Sequence, residues 1–283
     1  MAGNSATRVE PAFFRQSAGG GRGRGVWQPV LAGALGIAMF VGIWQLVCMT
    51  GWKPEFVLPD PGTVAVNLWE QAQHRLLWDA VGTTLSRAVH GFGLAVLAGL
   101  LLGVVVSRNR ILRSAVGPII TGLQTMPAIA WFPFAIVFFG LTTPAILFVI
   151  VIGAAPAIAI AMMSGSDHIP PLLLRSAKNL GLQGFSLYRY LILPASLPAL
   201  VVGLKHGWAF AWRSLMAGEL VVIVTNTTSV GVLLENAQNM SDMPSAIAIM
   251  IVILAIGIVI DALFSALDRA IRLRWGLVDR SDS

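Results

Sequence analysis

Residues 143–163 of this chain read TPAILFVIVIGAAPAIAIAMM, a run without a single charged side chain. An α-helix needs about 20 apolar residues to cross the hydrocarbon core of a bilayer, so this run predicts a transmembrane helix. Strands of a membrane barrel would instead alternate over about 10 residues. The sequence therefore predicts an all-α integral membrane protein. Its six transmembrane helices are expected at about Trp27–Met49, Ala80–Val106, Val116–Phe139, Thr143–Met163, Pro194–Val224 and Pro244–Leu267.

The composition of the 283-residue chain argues against several other classes of protein. Apolar residues make up 56% and charged residues 11%, whereas soluble domains carry about 25% charged residues. The mean hydropathy is +0.78. A single cysteine, Cys48, cannot form an internal disulfide or a multi-cysteine metal site. The histidines are scattered and no phosphate-binding Gly-rich loop is present, so we expect no metal, no cofactor and no catalytic site in this chain.

The distribution of basic residues predicts the orientation in the membrane, because cytoplasmic loops are enriched in Lys and Arg. The net charge is +6. Outer loops would hold only Lys53 and Arg75, with Arg87 at a helix edge, if both termini are cytoplasmic. The basic residues then on the cytoplasmic side are Arg8, Arg15, Arg22, Arg24, Arg108, Arg110, Arg113, Arg175, Lys178, Arg189, Arg269, Arg272, Arg274 and Arg280. We therefore expect a multi-pass membrane protein with both termini on the cytoplasmic side.

Four regions are expected along the chain. Residues 1–25 form a basic, Gly/Arg-rich cytoplasmic tail, for which a plain positive-inside role is favoured over binding of anionic lipid or nucleic acid. Residues 26–79 hold the first transmembrane helix and a short amphipathic helix, Thr63–Trp78, at the outer interface. A signal peptide is the alternative for the first apolar run, but no small-residue cleavage site closes it. Residues 80–267 form a core of five helices, and residues 268–283 a cytoplasmic tail.

The longest cytoplasmic loop, residues 167–190, carries more pattern than a simple connection requires. Residues 174–182 read LRSAKNLGL, an amphipathic helical stretch that stops at Gly181. Glycine readily takes the left-handed conformation that ends a helix. A second glycine, Gly184, precedes a stretch that leads into the fifth transmembrane helix. This short projecting element would expose apolar side chains, which indicates a docking surface for a partner.

The same loop resembles a known motif. Ala177, Gly181 and Leu193-Pro194 have the spacing of the EAA motif, which reads Glu-Ala-Ala, three residues, Gly, nine residues, Ile-x-Leu-Pro. That motif marks the membrane subunits of binding-protein-dependent ABC importers. Three positions depart from it: Arg175 replaces the Glu, Ser176 the first Ala and Leu191 the Ile. The Glu often contacts a basic residue of the ATPase in that family, so Arg175 leaves open how the partner surface is matched.

Further elements resemble the nitrate/taurine/alkanesulfonate branch of that family and occur in the same order. They are Leu58-Pro59-Asp60-Pro61, Thr84-Leu85-Ser86-Arg87 with Gly91-Phe92, residues 127–133 (PAIAWFP), and Trp212 with Ala217-Gly218-Glu219 and Gly231. The resemblance implies a type I importer permease of the bacterial inner membrane, with a cytoplasmic coupling helix. It also implies a second permease copy, two cytoplasmic ATPase subunits, an extracytoplasmic solute-binding protein and a small anionic solute. The residues implied in ATPase coupling are Arg175, Ser176, Ala177, Gly181, Leu187 and Pro194.

Ionisable residues inside a transmembrane helix are costly and suggest function. The fifth predicted helix carries Lys205, His206, Arg213 and Glu219. One interpretation is a wall of the translocation path whose cations attract an anion; the other is hydrogen bonding between helices. Lys205 and Glu219 cannot pair with each other, because they lie about 21 Å apart along one helix. The candidate path residues are Trp131, Lys205, Trp208, Trp212, Arg213 and Glu219.

Two other functions compete with an importer subunit. A secondary transporter or channel that works without an ATPase would be expected to show an internal repeat, and none is visible in the sequence. Such a protein would also give no reason for the spacing in residues 167–190. An integral membrane enzyme would need clustered His, Asp or Cys residues at an interface, and the sequence has none.

Overall fold

The computed structural model describes residues 27–274, with the side chains of 27–30, 32 and 274 left aside. All secondary structure in this range is helical. The predicted tail at 1–25 and the end of the C-terminal tail lie outside the described residues. The helices are α1 (Trp27–Met49), α2 (Pro61–Gln73), α3 (Arg75–Arg108), α4 (Arg110–Thr125), α5 (Phe132–Phe139), α6 (Thr143–Asp167), α7 (Pro171–Asn179), α8 (Gly184–Leu187), α9 (Leu193–Val221), α10 (Val230–Asn239) and α11 (Met243–Arg274).

Four helical segments are long and apolar enough to cross a membrane: α3, α6, Gly184–Val221 and α11. A fifth is present if α4 and residues 128–139 count as one bent span. Helix α1 belongs to a separate unit that ends at Trp52. Its apolar stretch, Gly33–Met49, is shorter than the four segments named above. The multi-pass helical architecture is thus confirmed, while the sixth span stays a prediction.

The third predicted helix, Val116–Phe139, is not one kinked helix. Its two parts, α4 and residues 128–139, are bent by 106° relative to each other. Met126 is extended, Pro127 lacks an amide hydrogen, and Ala128–Trp131 forms a 3₁₀ turn before α5 begins. The first part also begins earlier than predicted, at Arg110, because the side chain of Asn109 accepts a hydrogen bond from the Ile111 amide at 2.8 Å.

Helix α6 is the centre of the core and packs along both α3 and α9. Close approach depends on glycines of the two neighbours. A Cβ on Gly99 of α3 would lie 2.7 Å from the Ala155 carbonyl oxygen, and one on Gly203 of α9 would lie 2.1 Å from the Ala161 Cβ. The glycines of α3 and α9 thus serve close packing of the helices.

Several helix boundaries differ from the sequence prediction. The amphipathic helix ends at Gln73 rather than Trp78, and α3 begins at Arg75 rather than Ala80. Helix α2 is held on α11 by a hydrogen bond of 3.1 Å from Asn67 to Ser245. Helix α10 was not predicted. The fifth span ends at Val221, and α11 runs seven residues past Leu267 to Arg274.

Candidate functional site

The predicted helix stop in the loop between α6 and α9 is confirmed. Helix α7 ends where Gly181 takes a left-handed φ of +87°. The Gly181 amide donates to the Lys178 carbonyl and the Leu182 amide to the Ala177 carbonyl, both at 3.0 Å. These two bonds form a Schellman motif, which satisfies the last carbonyls of the helix and turns the chain back.

Helix α8 continues into the span α9 without a break. Gly184 has a φ of +53°, and the following residues form α8, a π-turn over Tyr188–Ile192 and then α9. Gly184–Val221 is therefore one helical segment of 38 residues, about 57 Å long. A displacement of its first turn would be transmitted along the whole span, because a continuous helix moves as a rigid element.

The loop has one face packed on the core and one face without a partner. Ala177 and Leu187 are buried in a cluster that includes Met162 of α6. Pro194 is half-buried, while Arg175, Ser176 and Gly181 are exposed. Large apolar side chains on the face of the loop that points away from the core are also exposed, namely Leu172, Leu173, Leu180, Phe185 and Tyr190. We call these five residues the loop surface. Its apolar character is what a protein docking site requires.

One face of α9 points at neighbouring helices of the same chain. The Lys205 ammonium lies 3.2 Å from the Asp261 carboxylate and 2.8 Å from the Ser265 hydroxyl, both on α11. Trp208 is buried; its ring makes an edge contact with Phe92 and stacks on Trp212. These three candidate path residues therefore make contacts between helices.

Glu219 is completely buried in a polar network that joins α3, α9 and α10. Its carboxylate receives hydrogen bonds from the Arg87 guanidinium at 3.0 Å, the Thr84 hydroxyl at 2.9 Å and the Gly231 amide at 3.2 Å. The expectation that Arg87 sits at a helix edge was wrong: its side chain is 6% exposed. The pair was missed because its members lie 132 positions apart. The only sequence signal was that both residues belong to the elements that resemble the importer branch.

The same network caps the first turn of α10. The Val230 amide donates to the Thr84 hydroxyl at 3.0 Å, and Arg87 also donates to the Thr227 hydroxyl at 2.9 Å. A Cβ on Gly231 would lie 2.3 Å from the Cβ of Glu219, so only glycine allows this approach. Helix α10 is therefore fixed to the two spans at its N-terminus.

The other face of α9 carries His206 and Arg213, and both side chains are exposed. Seven residues apart, they lie within roughly 20° of each other around the helix and about 10 Å apart along it. Within residues 53–274, Arg213 has no acidic partner; its guanidinium carbon lies 5.9 Å from the centre of the Phe210 ring. Trp131 is half-buried in the 3₁₀ turn beside Phe134. The structure thus separates Arg213 from Lys205, Trp208, Trp212 and Glu219.

Comparison with known proteins decides the family. The sequence model of the binding-protein-dependent transport system inner membrane component matches residues 95–273. The chain belongs to this family. It is thus the membrane permease subunit of an ABC importer, a non-catalytic subunit that works with an ATPase and a solute-binding protein.

Relatives cover most of this permease. It is 32% identical to a putative ABC transporter permease of Methanocaldococcus jannaschii, over 79% of this chain and 84% of that protein. It is 28% identical to the nitrate import permease NrtB of Leptolyngbya laminosa, over 80% of this chain and 83% of that protein. The putative aliphatic sulfonates transport permease SsuC of Escherichia coli is also 28% identical, over 83% of this chain and 88% of that protein.

The fold is similar to that of a solved importer. An inward-facing structure of the MetNI methionine ABC transporter matches with a TM-score of 0.59 at 21% sequence identity. The match covers 69% of this permease and 95% of that chain. The type of helical membrane fold predicted from the sequence is therefore found among importer permeases.

Proposed function

We propose that this permease carries a small oxyanion, of the nitrate or alkanesulfonate type, into a bacterial cell. Two curated relatives are named for nitrate and for aliphatic sulfonates. The observation that carries the proposal is Arg213, a cation on the exposed face of α9 about 9 Å from the middle of that helix. An Arg at such a depth is costly in lipid, so this face meets a water-filled path or another protein.

The proposed assembly is a homodimer with two ATPase subunits and a solute-binding protein. The second permease copy would cover the face of α9 that carries Arg213 and close the path between the two copies. One ATPase would dock on each loop surface. The solute-binding protein would bind at the opposite end, where α2 and α10 lie. Both termini would be cytoplasmic, as the clustering of basic residues at the α7–α8 end supports.

The proposed mechanism couples the ATPases to the path through the continuous segment 184–221. ATP binding closes the ATPase pair and draws the two docked loops together. Because α8 runs into α9 without a break, the movement turns α9 as a rigid rod and changes which side of the membrane the path faces. The Arg87–Glu219 network would carry α10 with α9 at the outer end. Glu219 would thus act in assembly of the outer end rather than on the solute.

Co-purification with the ABC ATPase of the same importer tests the proposed assembly. We expect the wild type to bring down the ATPase from detergent in equal amount. Phe185→Asp should lose it, because a carboxylate replaces a ring that is 78% exposed on the loop surface. Gly181→Asp should also lose it, because a side chain at φ +87° strains the turn that shapes the loop.

The matched control is Leu141→Asp. Leu141 is also apolar and exposed, but it lies in the turn between α5 and α6, at the end of the core opposite α7. This variant should still bring down the ATPase. If the wild type purifies without any ATPase and transports solute in vesicles lacking ATP, the importer interpretation fails. A secondary transporter would then be the better description.

A further inference from the structure

A cavity of about 370 Å³ lies between α4, α6, α9 and α11, in the half of the core nearer α7. Each of the four helices contributes one polar side chain to its wall, namely Gln124, Ser164, His206 and Arg272. The rest of the wall is made of Ala, Gly, Val, Ile and Pro. The volume falls within the range of about 300–1,000 Å³ that is usual for small-molecule sites.

The donors of these four side chains are free to bind something inside the cavity. Among the described residues, the Gln124 amide, the Ser164 hydroxyl and the His206 ring make no hydrogen bond. Arg272 uses its Nε on both oxygens of Asp268, at 3.0 Å each, which leaves its two terminal nitrogens. Gln124, Ser164 and Arg272 are half-buried and His206 is exposed, so a solute in the cavity can reach their donors.

The chemistry of the set selects an anion. An amide, a hydroxyl, an imidazole and a guanidinium can all donate, and the guanidinium fork matches planar or tetrahedral oxyanions. No carboxylate is among the lining residues, and Asp268, the partner of Arg272 on α11, is engaged by the Arg272 Nε. A ligand with one negative charge and several acceptor oxygens matches the chemistry of these donors.

We propose that this cavity, which we call the inner anion site, binds a small oxyanion on its way through the permease. Arg213 lies two turns further along the same face of α9 and would meet the anion first. The inference rests on the proposed function, because it assigns residues to the path of that same solute. It moves the path from the face of Lys205 and Glu219 to the neighbouring face of α9, roughly 100° around the helix.

A second cavity serves as an internal comparison. The groove between α9 and α11 measures about 720 Å³ and has an apolar wall that includes Trp212, Met250 and Leu254. Its one ionisable lining residue is Asp261, which is paired with Lys205. A negatively charged reagent should therefore gain nothing there.

Charged thiol reagents test the inner anion site without knowledge of the natural solute. The full-length chain in nanodiscs carries Val202→Cys in a Cys48→Ser background; Val202 lines the cavity one turn from His206. The probes are two methanethiosulfonates, one with an ethylsulfonate and one with an ethyltrimethylammonium group. The cysteine thiolate attacks the sulfenyl sulfur, forms a mixed disulfide and releases methanesulfinate in both cases. The labelling rate with each reagent is divided by the rate at which the same reagent reacts with a free thiol in solution.

The preference is the ratio of the normalised labelling rate with the sulfonate reagent to that with the ammonium reagent. We expect this ratio to be about tenfold higher at V202C than at M250C, whose thiol lies in the apolar groove. Sodium nitrate should slow labelling of V202C and leave M250C unchanged. Arg272→Gln in the V202C background should lower the preference several-fold. His206→Ala should weaken the protection by nitrate, and it supplies a second variant if Arg272→Gln does not fold.

Arg269→Gln is the matched control, since it removes the same charge from an exposed position on α11 that does not line the cavity. It should keep the full preference. Equal preferences at V202C and M250C, or an equal loss with Arg269→Gln and Arg272→Gln, would overturn the proposal. Co-purification of the ATPase is measured separately, so failure of the anion site is distinguishable from failure of the importer function.

Discussion

At the scale of single residues, the Arg87–Glu219 pair is the one salt bridge of the described residues in which both side chains are buried. Both side chains are buried, and each makes further hydrogen bonds to Thr84, Thr227 or the Gly231 amide. Removal of one member leaves a buried charge without compensation, which typically costs about 3–5 kcal/mol. The pair therefore makes the outer ends of α3, α9 and α10 depend on one another.

Thermal unfolding in detergent checks this dependence. Arg87→Met should lower the unfolding temperature strongly, because the buried Glu219 carboxylate loses its guanidinium partner. The double variant Arg87→Met with Glu219→Gln should recover part of the loss, since the amide is neutral and its oxygen can still accept from Gly231. Arg75→Met is the control, because Arg75 is 92% exposed and its contact with Asp79 is weak. No recovery in the double variant would contradict a role for the pair's charge.

At the scale of elements, the start of α2 depends on one ionised side chain. The Thr63 hydroxyl and the Thr63 amide both donate to the Asp60 carboxylate and hold its pKa below the usual 3.8. A carboxyl whose pKa is lowered by folding stabilises the folded state above its unfolded pKa. That contribution is lost as the pH falls through the folded pKa, so α2 should fray only below about pH 4.

Hydrogen exchange of the peptide that covers α2 measures this effect. Asp60→Ala should raise the exchange rate at pH 7, because two amides lose their acceptor. After correction for intrinsic exchange, the wild type should approach the variant as the pH falls below 4, and the variant itself should show no such change. Thr63→Val in an otherwise wild-type chain should shift the pH of this transition upward, toward the usual pKa of a carboxyl group. Exchange that is independent of pH in the wild type would exclude this role for Asp60.

At the scale of the whole molecule, close packing of α6 against its two neighbours holds the core together. Gly203 and Gly99 leave no room for a side chain, whereas a Cβ on Gly122 of α4 would meet nothing within 4 Å. Gly203→Val should therefore force α6 and α9 apart, at a cost of about 1–3 kcal/mol or more. Gly122→Val should be tolerated.

Size-exclusion chromatography of the two variants checks this prediction. Loss of a monodisperse peak for Gly203→Val and its retention for Gly122→Val are expected. Equal behaviour of the two variants would show that the α6–α9 contact does not limit the stability of the core. The comparison is matched, because both changes add the same side chain to a helix in the apolar part of the protein.

Much of this protein follows from its sequence alone. The long apolar runs determine helical spans, because a bilayer core leaves backbone groups no other partner than their own helix. The stop at Gly181 follows from the left-handed conformation that a Schellman turn requires. The spacing from Ala177 to Pro194 indicated the importer family that the comparison then established.

Only the tertiary structure decided which charges meet. Arg87 and Glu219, or Lys205 and Asp261, are far apart in the chain, and helical periodicity describes the faces of one helix without naming the neighbour on each face. The 106° bend after Thr125 likewise depends on the fold, since prolines permit a break but do not set its angle. The face of α9 with His206 and Arg213 became a candidate path only once packing had assigned the other face to α3 and α11.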